Sequence, residues 1–584
     1  MLKITFEELH MSEKGTSENR GDTTQQTGLR LLPGIIIVVI QLLLRFVLPV
    51  IEPDGLMIAM FSGMLGGPAL IVWWCFFSRA RAFERWLAPV LAIVSLVAVS
   101  FFLDISIATA NMGMMFMMFA TPAMSLAFVL WAVIGSRLSA LPRRTAMVIS
   151  ILLASAPWLF LRTDGMDGSA NQSFNWRWAP TLESRLLAKG DEATVPAEAG
   201  TKAAWPGFRG ENRDSIVRGI SIATNWKSSP PKQLWRRSIG PGCSSMAVSG
   251  NMLFTQEQLG EHEAVSCYDI TSGRPVWKHR DKARFYDSHA GAGPRATPTI
   301  AGRRVYTLGA TGIVNALDMK TGSVIWTRNA STDGSVKNLN WGFAASPLVI
   351  GDIVIVSVSG KLSAYDAANG IVRWSLPDGG NSYSSPHLLA INGVPQIVHV
   401  SMAGAQSVAP ETGKQLWNYA WKLEDRILQP ALIAPNDLML SSDGEQSVRR
   451  VHVALNSGKW SVTYVWSSTE MKLNFNDFVV HKGYAYGFHG PSIACIDIRN
   501  GKRVWKGERY RGWIVLLADE DMMLVLSEKG ALALVAAKPD AFTELASISV
   551  LKGKTWNHPA LAGDVLVVRN ASEMAAYRLP LLGK

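Results

Sequence analysis

Four side chains in the second half of the chain could together bind a small ligand: Arg295, Asn476, Asp477 and Trp513. A carboxylate beside an amide oxygen can ligate a hard cation such as Ca²⁺. A carboxylate near a reacting proton can serve as a general base. A guanidinium binds anionic oxygens, and an indole offers its face to a flat ring. Equivalent positions carry Asn340, Trp341, Tyr383, His387, Gln429, Trp556 and His558. Other catalytic spacings are missing. The chain has no His-Glu-x-x-His, no Gly-x-Ser-x-Gly and no phosphate-binding loop. His289 and His489 stand alone and read as turn or surface residues.

The elements that must position these residues repeat. A phrase of the form small-x-Asp-x-x-(Thr/Ser/Asn)-Gly-x-x-x-Trp ends at Trp277, Trp326, Trp374 and Trp505, and in a weaker copy at Trp417, where Ala409 replaces the Asp. The first four of these five Trp residues in chain order are spaced 49, 48 and 43 residues apart, and 88 residues separate Trp417 from Trp505. A period of this length marks a repeat architecture. Each phrase follows short runs rich in Val, Ile and Tyr, such as Ile353–Val358 and Leu362–Tyr365, punctuated by Gly and Asp. Such runs are antiparallel strands, and four per period make a propeller blade. The Asp and Gly suit a tight turn. The Trp opens the outer strand and can wedge between blades, donating its N–H to a backbone carbonyl.

Inner-strand starts can be placed near Ser244, Pro298, Pro347, Pro386, Pro430, Asn476, Gly512 and His558. Outer strands fall at Trp235, Trp277, Trp326, Trp374, Trp417, Trp466, Trp505 and near Glu544. Both markers count eight blades, with seven as the alternative if residues 440–470 are not a full blade. Trp235 precedes the first blade, and the final hairpin, Val565–Tyr577, has no outer strand after it. Pairing the two would close the ring and remove an exposed sheet edge.

The first 30 residues are polar and lack the pattern of a cleaved signal peptide. Apolar segments follow at Leu31–Ile51, Leu56–Phe77, Trp86–Ile105, Thr109–Ile134 and Ala146–Leu161. Their lengths predict five membrane spans, the last near the lower limit. Arg79, Arg81 and Arg85 follow the second, and Arg137, Arg143 and Arg144 the fourth. The positive-inside rule then predicts a cytoplasmic N-terminus in the inner membrane and an outward, periplasmic or extracellular, propeller. Gln41 and Arg45 share a helix face, and Arg45 can pair with Asp104. A snorkelling or structural pair near the interface is the preferred reading over a quinone or proton site. The run from Met112 to Met118 has no Cys or His beside it and reads as packing.

Residues 163–204 read as a flexible tether with one short helix at Leu182–Ala188, ahead of a propeller over 205–584. Of the four cysteines, Cys75 lies in a span, and Cys267 and Cys495 hold the same repeat position in different blades. This predicts neither a disulfide framework nor a metal site. The net charge of +11 includes the Arg residues of the helix-linking loops. No basic run carries interleaved aromatics, so no nucleic-acid partner is expected.

The repeated phrase resembles the tryptophan-docking motif of the quinoprotein (pyrroloquinoline quinone, PQQ) propeller superfamily, over about residues 205–580. Lys552-Gly553-Lys554-Thr555-Trp556-Asn557-His558-Pro559, with Trp205-Pro206-Gly207-Phe208-Arg209-Gly210, is similar to PQQ-like repeat proteins of planctomycete-type bacteria. One branch of the superfamily holds dehydrogenases, which bind PQQ with Ca²⁺. The other holds propellers without that chemistry, such as the scaffold lipoproteins of outer-membrane barrel assembly. The vicinal cysteine pair of the alcohol-oxidising members is absent here, and the blades lack long insertions. The expectation is therefore a non-catalytic platform, anchored in a lipid bilayer and binding a ligand or other envelope proteins, with no cofactor. The alternative is a PQQ- and Ca²⁺-dependent membrane dehydrogenase that oxidises a sugar or alcohol, with Arg295, Asn476, Asp477 and Trp513 as its cofactor-binding residues.

Overall fold

A computed structural model describes residues 29–52, 55–166, 172–421, 427–441 and 448–582. The polar N-terminal stretch lies almost entirely outside the described residues. The chain divides into two units, one of residues up to Leu103 with Met114–Leu159, the other of Asp104–Gly113 with Phe160–Lys584.

Among the described residues of the first unit, runs of Leu, Ile, Val and Phe form four helices long and apolar enough to cross a membrane: Leu32–Ile51, Met57–Phe76, Ala82–Ser100 and Met115–Gly135. The last begins later than the sequence predicts. Asn111 and Met112 take φ values of 50° and 56°, and this left-handed backbone cannot continue a right-handed helix. The fifth predicted span is helical over Ala140–Ser155, only 16 residues. Trp74, Phe128 and Trp131 pack together in the core of this unit, Phe128 edge-on to both indoles. Arg143 Nη2 lies 2.6 Å from Glu84 Oε1 with both side chains buried. Arg45 packs on an aromatic ring within this unit. Its guanidinium lies 4.3 Å from the centre of the Phe119 ring. In the second unit Asp104 caps the turn Ile105–Ala108, accepting from Ser106 N and Oγ.

The second unit is built on an eight-bladed β-propeller. Seven blades are consecutive four-stranded antiparallel meanders. They start at Ala247 (blade 1), Thr299 (2), Leu348 (3), His387 (4), Ala431 (5), Val479 (6) and Trp513 (7). Blade 8 holds Ala560–Ala562, Val565–Arg569 and Glu573–Arg578, and takes its outer strand, Lys232–Ser238, from before blade 1. The ring thus closes as the pattern predicts. The seven-blade alternative falls because Val448–Asn456 and Lys459–Ser468 form a complete hairpin in blade 5.

The repeated phrase locks neighbouring blades. Trp235, Trp277, Trp326, Trp374, Trp466 and Trp505 each donate Nε1–H to a carbonyl of the next blade, at Ile270, Met319, Ala367, Pro410, Ile498 and Lys538, over 2.7–3.0 Å. In the phrase the acceptor directly follows the Asp, whose carboxylate holds the turn. Asp366 Oδ1, for example, accepts from the backbone N–H of Ala368 and Asn369. The phrase's Gly then lies on the neighbouring indole. At Gly370, with φ 72°, a Cβ would meet the Trp326 ring at 2.7 Å. Blade 5 lacks the phrase, and Trp417 instead donates to Gln396 Oε1 of its own blade, at 2.6 Å.

The predicted tether is not featureless. It contains a hairpin of Leu161–Met166 with Gln172–Trp176, and the short helix forms at Leu182–Ala188. Glu183 Oε1 accepts from Gly260 N–H at 2.7 Å and from Arg284 at 2.8 Å. Val195 N–H donates to Pro275 O and Asn251 N–H to Glu198 O, so the chain runs along blade 1. Residues 167–171 of the expected tether lie outside the described residues.

Candidate functional site

The inner strands surround an axis, and the chain fills it with its own segment, Trp205–Val217. Its irregular path comes from local chemistry. Pro206, Gly207 and Gly210 break any regular run, and Arg209, Arg213 and Ser215 have φ values of 63°, 56° and 61°. Ser215 N–H closes the turn onto Arg209 O.

This short segment touches all eight blades. Trp205 exchanges backbone hydrogen bonds with Val248 of blade 1, and Pro206 O accepts from Ile300 N–H of blade 2. Arg213 donates to Ser346 O and Pro347 O at the start of blade 3. Asn212 O meets His387 Nε2 of blade 4 at 3.0 Å. Gln429, before blade 5, donates to Arg213 O. Arg209 donates to Phe478 O, before blade 6, at 2.6 Å. Ile216–Val217 add a parallel strand to blade 7. Ser215 Oγ lies 2.8 Å from Nε2 of His558, before blade 8.

The four predicted site residues divide. Asp477, Asn476 and Trp513 come together between blades 6 and 7. Asp477 Oδ2 lies 3.3 Å from Arg209 Nε, and its Oδ1 is buried with no protein partner. Asn476 Nδ2 donates to Gly512 O at 2.8 Å. Trp513 is buried, with the His558 and Phe208 rings edge-on at 5.2 Å and 6.3 Å. Arg295 belongs to another structure. It binds the Asp287 carboxylate and donates to Gly291 O and Gly293 O, clamping its own loop. Trp341 lies between His289 and Tyr383. Of the predicted docking residues, Trp235, Trp277, Trp326, Trp374 and Trp505 join neighbouring blades and Trp417 bonds within its own; all six sit on outer strands, apart from this group.

The electrostatics are those of a buried polar anchor. Burial pushes the Asp477 carboxyl up to about 6 although Arg209 pulls it down. Burial, with the Arg209 charge adding to it, pushes the His558 imidazole down to about 3. His558 Nδ1 faces Pro559 O at 2.6 Å, which makes Nδ1 the protonated nitrogen and Nε2 the acceptor for the Ser215 hydroxyl. The Ser215–His558 pair resembles a nucleophile and its base. However, Ser215 is fully buried and its Oγ already accepts from Arg209 Nε–H, so neither access nor activation is available.

The donor set also does not fit PQQ with Ca²⁺. That cation takes about six to eight oxygen ligands, whereas Asp477 is paired with Arg209 here. Among the described residues no cluster of three or more His, Cys, Asp or Glu side chains is arranged to hold a metal ion. The rings of His558 and Phe208 crowd the indole of Trp513.

Arg209 and Ser215, the most connected residues at the axis, are missed by sequence reasoning. Trp205-Pro206-Gly207-Phe208-Arg209-Gly210 stands out in the sequence as the point where folded chain resumes, but its role at the axis has no sequence signal.

A family model described as outer membrane protein assembly factor BamB matches residues 224–407. BamB of Moranella endobia is 23% identical over 285 residues, covering 46% of this chain and 71% of its own. A quinohemoprotein alcohol dehydrogenase of Comamonas testosteroni is 24% identical over 262 residues, 39% of this chain and 34% of its own. Among solved structures, BamB of Moraxella catarrhalis superposes with a TM-score of 0.44 at 16% identity, covering 61% of this chain and 99% of that one.

Proposed function

We propose that this PQQ-like β-propeller protein is a membrane-anchored, non-catalytic platform that binds other envelope proteins. The observation that carries this reading is the contact of Trp205–Val217 with all eight blades. The axis, where a propeller ligand would sit, is filled by the chain itself, and the buried Asp477 carboxylate there is paired with Arg209. The outer rim is left for binding. There, residues next to the docking tryptophans are exposed and apolar: Val324 and Ile325, Ile371 and Val372, Tyr464 and Val465. The resemblance to an assembly factor supports the same reading.

The proposed setting is the cytoplasmic membrane, with the N-terminus inside and the propeller outside. The helix Ala140–Ser155, extended by the 3₁₀ turn Ala156–Leu159, serves as the fifth crossing in this reading. Together they span about 30 Å, the thickness of a hydrocarbon core.

The test uses full-length protein in lipid nanodiscs titrated with PQQ and Ca²⁺, alongside cross-linking in native membranes. The platform reading expects no quinone absorbance bound at micromolar PQQ, no dye-linked sugar or alcohol oxidation, and discrete cross-linked envelope proteins. PQQ-dependent turnover that is lost in Asp477→Ala would replace it with the dehydrogenase reading.

A further inference from the structure

The second unit contains a small subdomain outside the blades, assembled from two stretches of chain. Asp104–Gly113 follows the apolar helix Ala82–Ser100, and the described residues of 160–179 follow the last helix and its turn at Leu159. The two are joined at several points. Thr163 N–H donates to Ser106 Oγ at 2.9 Å, and Arg177 Nε lies 3.5 Å from Asp104 Oδ2. Ser288 Oγ of the propeller donates to Thr109 O.

This subdomain exposes large apolar side chains. Trp176 and Trp178 are 48% and 67% exposed and stack on each other, with ring centres 5.1 Å apart and planes 6° from parallel. Phe160 meets Trp178 at 6.0 Å and is half exposed, and Ile105 and Met112 are exposed as well. Arg162 and Arg177 sit among them, Arg162 bound to Asp164 and Arg177 beside Asp104.

We propose that this subdomain is a membrane-interface foot: Trp176, Trp178 and Phe160 insert into the headgroup layer and hold the propeller's attachment at the bilayer surface. Trp is enriched at that depth because its ring is apolar and its N–H prefers water, and Arg reaches lipid phosphates from the same depth. Chain continuity selects the lipid interface over a protein partner. Phe160 directly follows Leu159, and Asp104 comes only four residues after the end of the helix Ala82–Ser100. Both stretches must therefore lie within a few residues of the depth at which those helices leave the bilayer. The inference rests on the reading that these helices cross a membrane.

The test places an environment-sensitive NBD label on Trp178→Cys in the full-length chain in phosphatidylcholine–phosphatidylglycerol nanodiscs, with Trp176→Cys as a second site. Ile93→Cys, read with acyl-chain nitroxide lipid, reports on the apolar helix and Ile371→Cys on the propeller rim; both positions are exposed. Cys75, Cys267 and Cys495 are buried, and unsubstituted protein measures the background from Cys243. The expected result is blue-shifted emission at 178 or 176, quenched severalfold more by headgroup-nitroxide lipid than at 371. Emission at both sites as in water, with Ile93→Cys still quenched, overturns the foot alone. A dry but unquenched label at these sites means that protein covers the patch, and also overturns it. Loss of quenching at Ile93→Cys as well overturns the membrane reading beneath it.

Discussion

Arg209 Nε lies 3.3 Å from Asp477 Oδ2 with both side chains buried, and this contact ties a segment outside the blades to the loop that opens blade 6. Removing one charge of such a pair leaves the other buried alone. Arg209→Leu should therefore lower propeller stability by about 3–5 kcal/mol. Asp477→Asn should cost less, because Arg209 keeps Phe478 O and Ser215 Oγ as acceptors. Urea midpoints of the propeller transition measure both. Equal, small losses would mean that the pair does not hold the segment.

The same carboxylate should leave a pH signature. Its pKa is about 6 in the folded protein, against about 4 for a free Asp. Between these values the folded state keeps a proton that the unfolded chain has lost. The resulting stabilisation is complete below pH 4 and disappears as pH rises through 6. The stability of the native protein minus that of Asp477→Asn should fall by about 3 kcal/mol between pH 4 and 7. Chemical unfolding of both proteins across that range checks the sign.

Ser215→Ala removes the hydroxyl between Arg209 Nε and His558 Nε2. It leaves the buried His558 Nε2 without the hydroxyl and Arg209 Nε with only the Asp477 carboxylate, at a cost of about 1–3 kcal/mol. A lower thermal midpoint is expected. An unchanged midpoint would place water in the gap.

Two glycines separate backbone strain from blade docking. Gly370 and Gly393 have φ values of 72° and 74°, but a Cβ at Gly393 meets nothing within 4 Å, whereas at Gly370 it collides with Trp326. Gly393→Ala should lose about 1–2 kcal/mol from the left-handed backbone alone. Gly370→Ala should lose clearly more, and its thermal midpoint should fall further.

Glu183→Ala should free the helix Leu182–Ala188 from Gly260 and Arg284. The contact lies outside the blades, so the expected effect is local opening. Faster proteolytic cleavage near residue 190, with an unchanged propeller midpoint, is the outcome to look for.

Much of this architecture is legible in the sequence because it is local or repeated. The Asp turn, the Gly beneath it and the Trp after it lie within 11 residues, and each copy confirms the others. Blade number and ring closure follow from counting the inner-strand starts and outer-strand positions that these copies bring into register. The four long helices are legible because apolar length is itself the signal. The tether and the fifth span are less so. Acidic residues such as Glu183 look like linker until Arg284 is placed beside them, and a helix of 16 residues sits at the limit where length decides.

The axis is where sequence reasoning stops. By itself the sequence places Asp477, Asn476 and Trp513 at inner-strand starts, because the repeat assigns every such position. It also places Arg295 there, without showing that Asp287 takes its guanidinium. That Trp205–Val217 enters the ring is decided only by the tertiary structure. The segment has no periodicity, and its partners are far away in the chain: Phe478 O is 269 residues from Arg209 and His558 is 343 from Ser215. Those contacts exist only once eight blades have closed around a common axis, and closure brings the last blade back to the strand before the first.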